Sequence, residues 1–256
     1  MQRTSHLCAD SCASSDPASA MSATEKFSTL VRPSAGGKWT FLRYLFPALA
    51  VLVIALFLYR TFFDGSLLRP YHDSLAQGDI SDWRMYGGQW GVSEGRLENL
   101  SGARGDKAVI GSPRWADYVV ETDIRLNADP VDSLWGDAGV ILRVTDPAIG
   151  VDAYDGYYVG IGSEGSVLLL GRANYSWMRL GAVPLASPAR KGSWFHLRAL
   201  VKGCYFEASA RELPGGTQTQ LTYFDRDCPK RSGSAGVRTF GLPASWRNFT
   251  VHRPES

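Results

Sequence analysis

The sequence predicts an all-β protein, an antiparallel β-sandwich preceded by a single transmembrane helix. Three observations lead there. One long apolar segment lies near the N-terminus, a series of strand-length runs separated by Gly, Pro, Asn and Asp follows it, and several of those runs alternate apolar and polar residues. Helical periodicity is almost absent outside the apolar segment. No repeat of thirty to fifty residues suggests a propeller or solenoid.

Residues 1–40 are rich in Ser, Ala and Thr and poor in large apolar residues. They cannot bury a core, so a disordered cytoplasmic tail is expected. Cys8 and Cys12, with His6 nearby, read as reduced thiols rather than a metal site. Residues 41–63, "FLRYLFPALAVLVIALFLYRTFF", carry no charge between Arg43 and Arg60. The sixteen residues between them rise about 24 Å as a helix, short of a hydrocarbon core about 30 Å thick. The flanking aromatics must contribute, with both arginines reaching towards the interfaces.

A cleaved signal peptide is the rival reading. Against it, over forty residues precede the apolar stretch and no small-residue cleavage site follows. Arg32, Lys38 and Arg43 before the span, without acids among them, place the N-terminus in the cytoplasm. The C-terminal part is then periplasmic or extracellular, on an inner (plasma) membrane. Residues 64–81 read as a juxtamembrane stem.

From 82 to 256 the texture is that of a sandwich. In "YVVETDIRL" one face carries Tyr118, Val120, Thr122, Ile124 and Leu126, and the other Val119, Glu121, Asp123 and Arg125. In "WFHLRALV", Phe195, Leu197, Ala199 and Val201 oppose Trp194, His196, Arg198 and Leu200. In "DAGVILRVT", Ala138, Val140, Leu142 and Val144 oppose Asp137, Gly139, Ile141, Arg143 and Thr145. For "AGVRTF" the inward face is ambiguous, although Arg238 opposes Val237 and Thr239.

Cys204 and Cys228 fall on the exported side, where a disulfide is expected, free thiols being the alternative. A formal charge of +2 is too small to argue for nucleic acid, no basic run supports one, and no such partner is expected. Asn99, Asn174 and Asn248 each head an N-x-S/T triplet.

The stretches "GGQWGVSEGRLEN", "DYVVETDIRL", "GDAGVILRVTDP", "YDGYYVGI", "SVLLLGRAN", "WFHLRALVKG", "GSAGVRTFG" and "WRNFTV" together resemble the concanavalin A-like, laminin G-like jelly-roll domains. These are found as fructan-type carbohydrate-binding modules and as the bacterial keto-disaccharide hydrolase-like domain. The resemblance implies that the "ETD" strand and the strand from Asp137 line one concave sheet. It also implies that acidic and arginine side chains there grip a terminal sugar. Carried over by position, the ligand-binding candidates are Glu121, Asp123, Asp137, Arg143, Tyr157 and Tyr158, and His196 joins them on the same strand faces. Asp137 and Arg143 are about 20 Å apart along an extended strand. Arg143 is therefore expected to look across the sheet to Glu121 and Asp123.

The resemblance also brings in laminarinase-type hydrolases, which carry E-x-D-x-E on such a strand. Retaining hydrolysis needs two carboxyls about 5–5.5 Å apart. Here Glu121 and Asp123 begin that pattern, but Arg125 and Leu126 stand where the second glutamate belongs. No catalytic residue is assigned. A non-catalytic saccharide-binding domain is expected, with a glycoside hydrolase or an envelope protein-interaction domain as alternatives.

"GYYVGIGSEG" holds G-x-G-x-x-G at Gly160, Gly162 and Gly165, and a hairpin is expected because no helix follows it. Trp135, Tyr154 and Trp177 fall near expected loops, either stacking on sugar faces or plugging the sandwich rim. No cofactor and no metal site is expected. A Ca²⁺ site on Asp146, Asp152 and Asp155 is the alternative.

Overall fold

The computed structural model describes residues 37–63, 70–73, 75, 78–129, 136–162 and 166–255. Most of the expected tail, with Cys8 and Cys12, part of the stem, and Trp135 lie outside these. Helix α1 spans Gly37–Phe63 and so covers the expected apolar segment. Its fully described part, 44–59, is exposed and apolar but rises only about 24 Å. Among the described residues no helix is long and apolar enough to cross a membrane.

The rest is β structure. The strands are β1 (Tyr71–Asp73), β2 (Arg84–Tyr86), β3 (Trp90–Ser93), β4 (Arg96–Asn99), β5 (Arg104–Ile110), β6 (Tyr118–Leu126), β7 (Asp137–Thr145) and β8 (Asp155–Gly162). They continue as β9 (Val167–Asn174), β10 (Trp177–Pro184), β11 (Trp194–Lys202), β12 (Tyr205–Leu213), β13 (Gln218–Phe224), β14 (Ser234–Phe240) and β15 (Ala244–His252). One sheet runs β13-β12-β11-β6-β15-β4-β3, with β1 also paired to β15, and the other runs β10-β9-β8-β7-β14-β5-β2. Every described pairing is antiparallel.

The alternation read from the sequence is what packs. Tyr118, Val120, Ile124 and Leu126 of β6, Phe195 to Val201 at every second position of β11, and Ala138, Val140 and Leu142 of β7 share one core. Each large side chain buried there stabilises by about 1.5–3 kcal/mol. In β14 the inward face is Ala235 and Val237, which sends Arg238 outward. As expected of a hairpin, β8 and β9 pair antiparallel up to Gly162 and Val167, while 163–165 lie outside the described residues.

Two expectations need correction, and one residue gains a role. The "stem" supplies β1 and the buried Leu75, so the sandwich begins before residue 82. Asn99 is fully buried, its Oδ1 accepting from the Gln89 and Ser101 amides and its amide donating to Asp106 and Thr239. It is a structural bracket between the two sheets. Finally, β6 and β7 belong to different sheets. Both turn apolar faces into the shared core, so their polar faces point in opposite directions. The expected disulfide is present: Cys204 and Cys228 are bridged, with their Cα atoms 5.5 Å apart.

Candidate functional site

Glu121, Asp123 and His196 lie together, on the outer face of the eight-stranded sheet. They form a closed charge network. Asp123 accepts from His196 Nδ1 (3.1 Å), Arg247 Nε (3.1 Å) and Asn248 Nδ2 (3.0 Å). Burial works against its charge, but His196, Asn248 and Arg247 hold its carboxyl below the ordinary value. Glu121 pairs with Arg198 at 3.2 Å, and Arg198 in turn with Glu207 at 2.8 Å. Arg247 and Arg125 both stack on Trp194.

Arg143 is not on that face, nor on any other. Its φ of +50° marks a bulge, where the β7–β8 register shifts between Leu142 and Thr145. The bulge breaks the alternation, so that Arg143 turns inside and Val144 joins the opposite face with Ile141. Arg143 is fully buried. Its guanidinium donates to the carbonyls of Ala116 (2.9 Å), Gly203 (2.7 Å) and Lys230 (2.8 Å) and to Asp117 (3.1 Å). The pairing expected with Glu121 and Asp123 is therefore corrected: Arg143 ties three loops together. Tyr157 is also a core residue, packed on Phe206 with its hydroxyl donating to Asp225.

Asp137 and Tyr158 remain, and these two meet. On the outer face of the seven-stranded sheet, Tyr158 donates its hydroxyl to Asp137 Oδ1. Arg238 of β14 reaches the same carboxylate at 3.4 Å and Asp152, from the β7–β8 connection, at 2.7 Å. Asp137, Asp152, Leu169, Trp177, Arg179, Arg238 and Phe240 line a pocket of about 310 Å³. The rings of Tyr158, Trp177 and Phe240 lie 4.9, 5.7 and 5.2 Å from the Arg238 guanidinium.

The strand sequences make room for this arrangement. Across the sheet, Arg238 sits opposite Gly139, Gly139 opposite Gly160, and Gly160 opposite Leu169. Two side chains are thus missing from one cross-strand row. A Cβ on Gly160 would meet the Tyr158 ring, and one on Gly171 would meet the Trp177 ring at 2.0 Å. The glycines are seats on which the two aromatic rings lie against the sheet.

The β7–β8 connection is held down from below. Lys107, fully buried, donates to the carbonyls of Gly105 (2.8 Å), Ala148 (2.7 Å) and Gly150 (3.0 Å). Burial, assisted by the Arg238 charge, lowers its amine to about 8. Tyr154 from the same segment packs with Val109, Ile141, Tyr158 and Leu169 in a second small core.

Burial also raises the Asp137 carboxyl to about 6, with Arg238 and Tyr158 opposing and Asp152 adding to the rise. The unfolded chain, with the ordinary value of 3.8, binds fewer protons between about pH 4 and 6. Stability is therefore lost from this group as pH rises through that window. Asp137→Asn mimics the neutral carboxyl. Urea unfolding should show the variant gaining on the parent between pH 4 and 7, by on the order of 2–3 kcal/mol. Parallel pH profiles for the two proteins would show that Asp137 is not held this way.

The three aspartates of the calcium alternative do not converge. Asp152 is bound to Arg238, Asp155 to Lys230 at 2.6 Å, and Asp146 offers its carbonyl to Tyr175. Among the described residues no cluster of three acidic, His or Cys side chains could hold a metal ion.

Sequence pattern does not mark Arg238, Arg179 and Phe240 as ligand residues, and it offers Asp152 only for calcium. The glycines inside β7, β8 and β9 were the available signal, since interior strand glycines mark close approach. Trp177 opens β10 directly after the β9–β10 bend, at the pocket. Tyr154 is buried.

Two layers of antiparallel strands in this order define a concanavalin A-like β-sandwich, and comparisons with solved structures agree. The chain is similar to a protein of unknown function with a galectin-like fold from Bacillus subtilis, at 16% identity and a TM-score of 0.52, covering 72% of this chain and 94% of that one. It is similar to the lectin UEA-II complexed with galactose, at 12% identity and a TM-score of 0.55, covering 72% and 97%. It is also similar to a GH43 protein, BlXynB, of Bacillus licheniformis, at 12% identity and a TM-score of 0.53, covering 72% of this chain but 39% of that one. At such identities the likeness establishes the fold. No protein-family model matches the chain, and no curated protein does.

Proposed function

We propose that this protein is a membrane-anchored, extracytoplasmic saccharide-binding domain without catalytic activity, and that its site is the Trp177–Arg238 pocket. The observation that carries this is the pocket's composition. Trp177 and Phe240 line one cavity of about 310 Å³ together with the Asp137, Asp152 and Arg238 hydrogen-bonding groups. A sugar has an apolar C–H face and vicinal hydroxyls that both donate and accept, so it is matched on both counts. The volume lies at the lower end for small-molecule sites, which favours one or two rings over a long polymer. The galactose bound by the structurally similar lectin UEA-II supports the same reading.

One observation favours hydrolysis. Two carboxyls share the pocket, and that of Asp137 is raised to about 6, as suits a general acid. Against it, the Arg238 guanidinium donates to both carboxylates from between them. A glycosidase leaves that space to the scissile bond. Anchoring rests on the uncharged, apolar run 44–59 of helix Gly37–Phe63, with the aromatics flanking it making up the rest of the hydrocarbon thickness. The Cys204–Cys228 bridge supports an oxidising compartment for the sandwich.

Calorimetric titration of the full-length chain in detergent micelles with galactose, glucose, fructose and arabinose tests the reading. Saturable binding of at least one at millimolar levels is expected, without release of reducing sugar from its oligomers. Release would promote the hydrolase. No binding of any would end the saccharide reading.

A further inference from the structure

Resting on the saccharide reading, we infer that the pocket grips two neighbouring hydroxyls of its sugar through Oδ2 of Asp137 and Oδ2 of Asp152, and that a proton taken up by Asp137 releases the sugar. The first ground is which polar atoms are already engaged. Oδ1 of Asp137 accepts from the Tyr158 hydroxyl and from Arg238 Nη1, and Oδ1 of Asp152 accepts from Arg238 Nη2. Neither Oδ2 has a partner among the described residues. The buried side-chain atoms there that lack one are Thr145 Oγ1, Tyr154 Oη, Arg238 Nε and Trp246 Nε1, and neither Oδ2 is among them. Each Oδ2 is therefore open to solvent, and both aspartates line the cavity.

Ionised carboxylate oxygens only accept, so these two call for a ligand that donates twice. One guanidinium binds both carboxylates and so holds them side by side. Adjacent hydroxyls of a single sugar ring supply the two donors, while Trp177 and Phe240 line the same cavity for its apolar face. Hydrogen bonds to an ionised acceptor are about twice as strong as neutral ones. A ring that lacks either hydroxyl loses one of them.

The second ground is where a proton must go. Tyr158 and Arg238 both donate to Oδ1 of Asp137, so the proton is left with Oδ2, the atom that the sugar uses. Burial raises this carboxyl to about 6. Hydroxyl donation favours the charged form, so affinity is full above about 6 and falls below it, by at most about tenfold per pH unit. Tyr158 faces Asp137 from β8, Arg238 from β14, and Asp152 and Tyr154 from the β7–β8 connection. Lys107 of β5 acts on Arg238, and Arg179 of β10 lines the cavity with an interaction of its own. Burial raises both tyrosines, which keep their protons, and Arg238 stays charged.

The test titrates the full-length chain in detergent with D-galactose, D-glucose, D-fructose and L-arabinose at pH 7.5 and 5.0, and then with the monodeoxy forms of the tightest binder. That sugar should bind about tenfold weaker at pH 5.0 than at pH 7.5. Two of its deoxy forms, at adjacent carbons, should bind at least about tenfold weaker at pH 7.5. Asp137→Asn should bind about as weakly at pH 7.5 as the parent does at pH 5.0, with no change between the two. Asp152→Asn should bind at least about threefold weaker and keep the pH dependence. Asp137→Asn, which mimics the neutral carboxyl, keeps the question decidable where Asp152→Asn does not fold. Equal affinity of the parent at both pH values, or deoxy forms that all bind as tightly as the sugar itself, would overturn this inference and leave the saccharide reading standing. Failure of all four sugars at about 10 mM and both pH values would overturn both.

Discussion

Replacing Arg143 by Met should destabilise the sandwich by about 3–5 kcal/mol, a large share of the total stability of a domain this size. The side chain has the bulk to fill the space, so the loss comes from hydrogen bonds and not from a cavity. Three part-buried carbonyls, of Ala116, Gly203 and Lys230, lose a donor. Each unmet buried acceptor costs about 1–3 kcal/mol, and some water entry keeps the sum below the maximum. The Asp117 pair adds little, since that carboxylate side chain is 47% exposed. Equilibrium urea unfolding of the full-length chain in detergent measures the effect. A loss under about 1 kcal/mol would show that the loops do not depend on this guanidinium.

Arg238→Met should cost about as much, but with a pH dependence that Arg143→Met lacks. Removing the cation leaves Asp137 and Asp152, both largely buried, without their main partner. Breaking a buried pair in this way costs about 3–5 kcal/mol. Arg238 is what lowers an Asp137 carboxyl that burial pushes up, so in the variant Asp137 takes a proton more readily. The deficit should be largest near pH 7.5 and shrink towards pH 5, as Asp137 becomes neutral. Burial works against the charge of Arg238 too, but Tyr154, Asp137, Tyr158 and Asp152 hold its pKa above the ordinary value. It therefore stays charged throughout that range. An equal deficit at both pH values would mean that the two aspartates do not need the arginine.

How much of this was legible in the chain differs from element to element. Period-two alternation identified β6 and β11 and their inward faces, because a half-buried strand leaves no other way to satisfy both of its sides. It failed at Arg143, where one bulged residue reverses every later side chain in the strand. Alternation also says nothing about which sheet a strand joins. The grouping of Glu121 and Asp123 with Asp137 comes from the resemblance, whereas β6 and β7 lie in different sheets.

The Cys204–Cys228 bridge and the glycine-run hairpin were readable because they depend on local chemistry. The pocket was not. Its lining comes from β7, β9, β10, β14 and the β7–β8 connection, and only pairing between distant strands brings Arg238 opposite Gly139. Asp137 and Tyr158 were identified for a different groove from the one they occupy.

The two outer faces now offer competing sites, and one comparison separates them. Sugar affinity of the full-length chain should be measured for Trp177→Ala and for Arg198→Ala. Trp177 is 36% exposed at the pocket, while Arg198 holds Glu121 and Glu207 on the opposite face. Loss of an aromatic stacking surface is worth about 1–2 kcal/mol, so Trp177→Ala should weaken binding about tenfold or more and Arg198→Ala should leave it unchanged. Weakened binding in Arg198→Ala with Trp177→Ala unaffected would place the site on the eight-stranded sheet and contradict the pocket.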